Sequence, residues 1–372
     1  MSKLNELIQE LCPNGVEYRK ISSFTKVLRG KRLTKDKLSE ENSIPVYHGG
    51  IEPLGYYGKA NRPANMVMII NVGASAGTVA YSDKEFWSSD GCFCIDKNEE
   101  MDDRYLYHYL KNNEYYFMSK VRKAGIPTLD NFIVEEFKIP VPPLEVQREI
   151  VHILDSFTLL TAELTAELTA RKKQYEYYRD MLLTFDARGG AISDVVWRTL
   201  GEVCNLQSGK AISAYLISDT QTVENSIPCY GANGLRGYVS TSNESGDKPI
   251  VGRQGALCGN VCFATGSYYA TEHAVVVTDK GFFNSRFLYH LLVNADLNQY
   301  KTAGAQPGLS VARLNEVKVP VPKRTVQDRI ANVLDNFDAI CSDLNSGLPS
   351  EIEARQKQYE YYRDKLLTFK EM

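Results

Sequence analysis

No apolar run in this 372-residue chain approaches the roughly 20 residues that span a bilayer, so no membrane-crossing helix is expected. The first ten residues, MSKLNELIQE, lack the basic start and apolar stretch of a secretory signal, which leads to the expectation of a cytoplasmic protein. Nucleotide-binding signatures are missing as well. Neither RGKRL nor SGKAI satisfies the GxxxxGK[ST] of a phosphate-cradling loop, and no GxGxxG stands between a strand and a helix. The [DN]PP[YF] tetrapeptide of amino-methyltransferases does not occur. No cofactor cradle is expected in this chain.

Metal-ligating patterns are sparse. Eight cysteines would allow four disulfides, but a reducing compartment argues against them. Cys92-Phe93-Cys94 alternates like a strand, which puts both thiols on one face and favours a buried strand over a metal site. Cys258 and Cys262 could form half a zinc site, yet no second Cys/His pair stands at zinc-like spacing nearby. No metal is assigned.

What the chain has is repetition. KQYEYYRD occurs at 173–180 and again at 357–364, 184 residues later. The match extends across the chain: VEYRKI at 16–21 with VVWRTL at 195–200, SIPVYHGG at 43–50 with SIPCYGANG at 226–234, and INVGASAGTV at 70–79 with GRQGALCGNV at 252–261. RYLYHYL at 104–110 answers RFLYHLL at 286–292, and FKIPVPPLEVQREI at 137–150 answers VKVPVPKRTVQDRI at 317–330. The chain is two copies of one unit.

Each copy opens with short β-like runs, such as MVMII at 66–70, PIVG at 249–252 and AVVVTD at 274–279, and Gly-rich turns. One helix is expected near Tyr105–Leu110 and near Phe287–Leu292. The Tyr-His pairs there (Tyr107-His108, Tyr289-His290) suggest packing, because no carboxylate or nucleophile accompanies either histidine in sequence. Each copy then ends in a long helix. After Pro142-Pro143, apolar residues at Ile150, Leu154, Phe157, Leu160, Leu164, Leu168, Tyr175, Tyr178, Leu182 and Phe185 describe one stripe. The second copy runs from about Thr325 to Phe369 and breaks at Gly347 and Pro349, with Ser350–Glu353 as a capping box that restarts it. A one-stripe helix needs a partner. An antiparallel pair of these helices with one globular part at each end is the expected architecture.

Inside the first long helix lies TAELTAELTA, 161–170. Taken alone it reads equally as alanine-leucine helix filler; in a spacer between two binding heads it works as a length adjuster, each unit adding about 6 Å and rotating the downstream part of the helix by roughly 40°. Between Phe157 and Gln174 there are 16 residues, and between Phe337 and Gln358 there are 20.

The overall charge of −3 does not point to nucleic acid; its distribution matters more than the sum, and a basic run taken alone is more often a solvated face than a phosphate contact. Eight basic residues (Arg19, Lys20, Lys26, Arg29, Lys31, Arg32, Lys35, Lys37) stand against the single acid Asp36 between Tyr18 and Lys37. Glycine-bordered loops carry Arg253-Gln254 and Asn260 in the second copy, and Asn71-Val72 and Thr78 in the first. Glycine lets backbone approach a surface, and Arg, Gln and Asn can bond base edges in a major groove. The copies differ at these loops while agreeing in the helices. An enzymatic alternative exists: Glu136-Phe137-Lys138 and Glu316-Val317-Lys318 fit half of a metal-dependent nuclease site. Asp130 precedes the first, but Ser310 holds the matching place in the second. A protein-only scaffold is the other alternative.

Two globular parts, each followed by a long helix, with IPVPPLEVQREI at 139–150 leading into the first helix and KQYEYYRD near the end of both, resemble the specificity subunit of a type I restriction–modification enzyme. The TAEL repeat is similar to the length-varying element of that family. The resemblance implies an α+β protein of two similar target recognition domains joined by two long antiparallel helices with pseudo-two-fold repetition. The expected boundaries are 1–143 and 187–323 for the domains, and 144–186 and 324–372 for the spacer helices. It also implies a non-catalytic DNA-reading role. S-adenosylmethionine, ATP and Mg²⁺ would then belong to partner subunits, two methyltransferase subunits and motor-nuclease subunits. The DNA-contact candidates are Arg29, Lys31, Arg32, Asn71, Ser75, Thr78, Lys210, Asn233, Arg253, Gln254, Asn260 and Gln306. The partner-contact candidates are Tyr175, Tyr177, Tyr178, Tyr359, Tyr361 and Tyr362.

Overall fold

The computed structural model describes residues 2–185, 195–255, 257–302, 307–342 and 347–372. Contacts divide the chain into two units, one of Met1–Glu163 with Ile352–Met372 and one of Leu164–Glu351. The division falls inside the TAEL repeat.

The first unit holds a four-stranded antiparallel sheet in the order Val27–Arg29, Cys92–Ile95, Met66–Ile70, Val79–Ser82. Beside it, Ile44–Tyr47 pairs antiparallel with Gly55–Tyr57 and parallel with Trp87–Ser88. All five residues of MVMII are buried because both faces of their strand are covered. Val67 and Ile69 join Phe93, Ile95 and the helix residues Tyr105 and Leu106 in one cluster, while Met66 and Met68 join Phe86 and Cys94 in another. A two-residue strand period sends alternate side chains to opposite faces, so a continuous apolar run feeds two cores. Cys92 and Cys94 are buried in this sheet, as expected of a core strand.

The second unit repeats the order with Cys204–Ser208, Ala274–Asp279, Lys248–Gly252 and Val261–Ala264. Its neighbouring sheet again contains a parallel pair, Cys229 and Tyr230 against Tyr269 and Ala270. The expected helices run from Asp103 to Asn112 and from Ser285 to Asn294. The side chains of Asp102 and Asn284 cap them, each accepting from the backbone N–H groups two and three residues on.

The long helix spans Leu144–Leu183, 40 residues, close to 60 Å at about 1.5 Å per residue. Buried Gln147 fastens its first turn, donating to the Glu100 and Pro142 carbonyls and accepting from the Asp102 N–H. Gln327 does the same for the second unit through Phe282, Pro322 and Asn284. Every residue of the expected stripe is buried or half-buried, whereas Leu159 and Tyr177 off the stripe are 62% and 64% exposed. In the first unit Phe157 stacks on Tyr362, centroids 5.5 Å apart; in the second Tyr178 stacks on Phe337 at 5.5 Å. Thus the start of the long helix meets the end of the C-terminal one, and its end meets the Arg324–Ser342 helix.

The restart of the C-terminal helix differs from expectation. The helix begins at Leu348, so Ser350 to Glu353 lie within it rather than before it. Pro349 sits in the first turn, where its missing N–H costs no helical bond. Glu353 pairs with Lys357 one turn on instead of capping. Among the described residues no helix is long and apolar enough to cross a membrane.

The histidines have carboxylate partners that sequence proximity concealed. His108 Nε2 lies 2.8 Å from Asp155 Oδ1 and His290 Nε2 2.7 Å from Asp335 Oδ1, with Arg104 and Arg286 bonded to the same carboxylates. Each acid comes from a long helix, so the network docks that helix onto the globular part. Burial pushes both imidazoles down, and the carboxylates only partly oppose it. Burial alone would raise Asp155 and Asp335, but the arginine and histidine bonds outweigh it and hold both below the usual range. Both effects have one sign. The unfolded chain takes up protons first, at the histidines below about pH 6.5 and at the acids below about pH 3.9. Thermal stability is therefore expected to fall on acidification from about pH 6.5. Asp155→Asn should lower the melting temperature at neutral pH by the equivalent of about 1–3 kcal/mol, measured by circular dichroism.

Candidate nucleic-acid interface

The Gly-rich loops are the same backbone object twice. In the first unit Ile70 N–H donates to Thr78 O, Asn71 to Gly91, Gly73 to Pro127, Ala76 to Gly73, Gly77 to Ile70, Thr78 to Ser75, and Leu129 to Asn71. In the second, Gly252 donates to Asn260, Arg253 to His273, Gly255 to Pro307, Cys258 to Gly255, Gly259 to Gly252, Asn260 to Leu257, and Leu309 to Arg253. Gly77 and Gly259 have φ of +92° and +93°, and an added Cβ would strike the backbone of Met118 at 2.7 Å or of Asn298 at 2.4 Å. Glycine is obligatory at both. The frame therefore leaves the side chains free to differ: Asn71 against Arg253, Val72 against Gln254, Ser75 against Leu257, and Thr78 against Asn260.

Arg253 is half-buried and donates through Nη1 to Ser208 Oγ at 2.9 Å, while its Nε is buried with no hydrogen-bond partner among the described residues. Gln254 is exposed and its backbone bridges to Gly308. Asn260 Nδ2 donates to Asn233 Oδ1 at 3.3 Å, bringing two candidates together. Lys210 is exposed, with its backbone N–H on Ala270 O; Lys31 holds the matching place, donating to Ser88 O. Gly30 and Gly209 precede them, each so close to a facing carbonyl (Ser89 or Ala270) that no Cβ fits. The RGK and SGK triplets are thus equivalent turns. Gln306 lies outside the described residues.

In the first unit Arg32 and Asn71 line a cleft of ≈ 480 Å³ together with Lys35, His48, Asp90 and Thr128. Arg29 is exposed with its guanidinium 6.0 Å from the Phe93 ring centroid. Ser75 and Thr78 are half-buried in the loop. The basic cluster is not one continuous face: Arg19 is bound to Glu100 at 2.7 Å and Lys20 to Glu136 at 2.6 Å. That pairing also takes Glu136 away from the nuclease-like triplet, and Asp130 is engaged by Arg122 at 3.1 Å.

The tyrosines divide by position within the octapeptide. Tyr175 packs on the second unit's core with its hydroxyl 3.3 Å from His290 Nδ1, and Tyr359 packs on the first unit's core. Tyr178 and Tyr362 are taken up in the stacks with Phe337 and Phe157. Tyr177 and Tyr361 are 64% and 62% exposed, at equivalent places. Sequence reasoning missed His48, Asp90, Arg236, Glu272 and His273, which adjoin the loops. An acid at the same repeat position in both copies, Asp90 and Glu272, was the available signal.

The sequence profile of the family described as the type I restriction modification DNA specificity domain matches residues 13–171 and 192–354. The chain is 38% identical over 300 residues to the type I restriction enzyme EcoprrI specificity subunit of Escherichia coli, covering 76% of this chain and 73% of that one. It is 30% identical to a putative type I specificity subunit of Haemophilus influenzae, across 95% and 96% of the two chains. In fold it is similar to a type I restriction–modification S subunit from M. genitalium, with TM-score 0.69, 21% identity, and 96% and 98% coverage.

Proposed function

We propose how this chain, which belongs to the family of type I restriction–modification DNA specificity subunits, reads its target: each unit reads one half of a split double-stranded DNA site, and the long helices hold the halves at a fixed gap. The chain itself is the non-catalytic, sequence-recognising subunit. The observation that carries the two-headed reading is the doubled loop frame, one hydrogen-bonded scaffold presenting two different sets of side chains. A shared scaffold docks both units alike; different side chains read different bases. Arg29, Lys31, Arg32, Lys35 and Lys210 supply phosphate contacts, and Asn71, Ser75, Thr78, Asn233, Arg253, Gln254, Asn260 and Gln306 contact base edges. The recognition parts are residues 1–143 and 187–323, and the spacers 144–186 and 324–372.

Methylation takes place on partners. A target adenine has to leave the base stack to be modified, and two methyltransferase subunits supply its pocket and S-adenosylmethionine. Motor-nuclease subunits supply ATP and Mg²⁺ chemistry. Exposed Tyr177 and Tyr361, one in each copy of the octapeptide, are the docking tyrosines for the methyltransferases. The packing of Phe157 on Tyr362 and of Tyr178 on Phe337 supports an antiparallel spacer.

Arg253→Ala tests the division of labour. Adenine methylation mapped by long-read sequencing should show relaxed specificity at one position of the second half-site, worth about 1–3 kcal/mol, with the first half unchanged. Relaxation of the first half would reverse the assignment of the units.

A further inference from the structure

Two imidazole–carboxylate contacts beside the loops recur in an unusual way. His48 Nδ1 lies 3.2 Å from Asp90 Oδ1 in the first unit, and His273 Nε2 lies 3.1 Å from Glu272 Oε1 in the second. The two acids occupy matching places. The preceding residues, Ser89 and Thr271, donate their N–H groups to Tyr47 O and Tyr230 O, and the strands concerned pair in parallel with the same register. The histidines do not match. His48 follows Tyr47, where the second unit has Gly231 after Tyr230; His273 follows Glu272, where the first unit has Gly91 after Asp90. Yet they share one space, since a Cβ on Gly91 would lie 2.8 Å from His48 Nδ1. Duplication alone repeats residues at their positions. Here the imidazole–carboxylate relation is repeated and the position is not.

Both pairs sit where DNA would lie if the two-headed reading holds, and the inference rests on that reading. Asp90 and His48 line the cleft with Arg32 and Asn71; His273 lines a cleft of ≈ 330 Å³ with Asn233 and Arg236. A carboxylate facing DNA is repelled by phosphates unless a donor rewards it. In the major groove the donors are the exocyclic amino groups of adenine and cytosine. We propose that His48–Asp90 and His273–Glu272 are base-reading pairs, one per unit, in which the carboxylate accepts from the amino group of an adenine or cytosine and the imidazole flanks it within about 3.2 Å. Ser89 Oγ donates to Asp90 Oδ1 at 3.0 Å and fixes that oxygen. Glu272 Oε2 is buried and has no hydrogen-bond partner among the described residues, so the carboxylate keeps acceptor capacity that the protein does not use.

Near-isosteric variants test this. The full chain, co-expressed with its methyltransferase, carries either Asp90→Asn or Glu272→Gln, and genomic adenine methylation is mapped. Asp90→Asn should change preference at one amino-bearing base of the first half-site and Glu272→Gln at one of the second, each reducing discrimination there about tenfold to a hundredfold. The base that is replaced identifies whether adenine or cytosine is read. Relocating the imidazole in the second unit is a further check. Gly231→His meets no atom nearer than 3.4 Å at its Cβ, so His273→Gly with Gly231→His should recover discrimination that His273→Gly alone loses. A split wild-type motif with both acid variants leaving it unchanged would overturn the base-reading pairs alone. A wild-type motif that is not split would overturn the two-headed reading and this inference with it.

Discussion

A chain with one additional Thr-Ala-Glu-Leu unit after Leu168 methylates a different set of sites: the two half-sites stay the same and the gap between them grows by one or two base pairs. The repeat is helical throughout, and Thr169 Oγ1 donates to the Thr165 carbonyl one turn back, so four more residues extend the same helix. They add about 6 Å and a rotation of roughly 40°. One base pair adds about 3.4 Å and roughly 35° to the duplex, so the advance fits nearly two base pairs and the rotation nearer one. DNA and spacer twist absorb the difference. At the original sites only one unit can engage in register, and methylation should fall about a hundredfold or more. An unchanged gap would refute the role of the helices as a ruler. Since the division between the units falls within this repeat, the insertion changes neither core.

The second large effect is expected at the loop glycines, and it grades with geometry. Gly255 has φ of +85° and no atom within 4 Å of an added Cβ, so Gly255→Ala carries only conformational strain, about 1–2 kcal/mol. Gly259 has φ of +93° and the Asn298 backbone N 2.4 Å away, so Gly259→Ala must also displace the 297–300 turn. Recognition of the second half-site should weaken a few-fold in the first variant and be abolished in the second, measured by methylation mapping alongside melting temperature. Gly77→Ala should do the same to the first half-site, because Met118 backbone lies 2.7 Å from its Cβ. Equal loss of both halves from either single change would contradict independent reading by the two units.

Much of this was legible in the sequence, for a physical reason. A duplicated unit shows each element twice, so strands such as MVMII and AVVVTD, the helices after Asp102 and Asn284, and the apolar stripe from Ile150 to Phe185 emerge from one chain. The Gly-rich loops were visible because their glycines recur while the residues between them change. What stayed hidden are relations across space. The Asp155–His108 and Asp335–His290 bonds join residues 47 and 45 positions apart. No periodicity reports such a contact. The restart of the C-terminal helix was misplaced because Ser-x-x-Glu signals a cap only where the preceding residues are non-helical, and Leu348 and Pro349 already form its first turn. The paired imidazoles escaped notice because they align with glycines.

Mapping adenine methylation in a host that expresses this chain with its matching methyltransferase subunit tests the central claim most directly. Two short specified halves separated by a fixed unspecified gap are the predicted result. A contiguous motif, or an assembled complex that methylates without sequence preference, would contradict it.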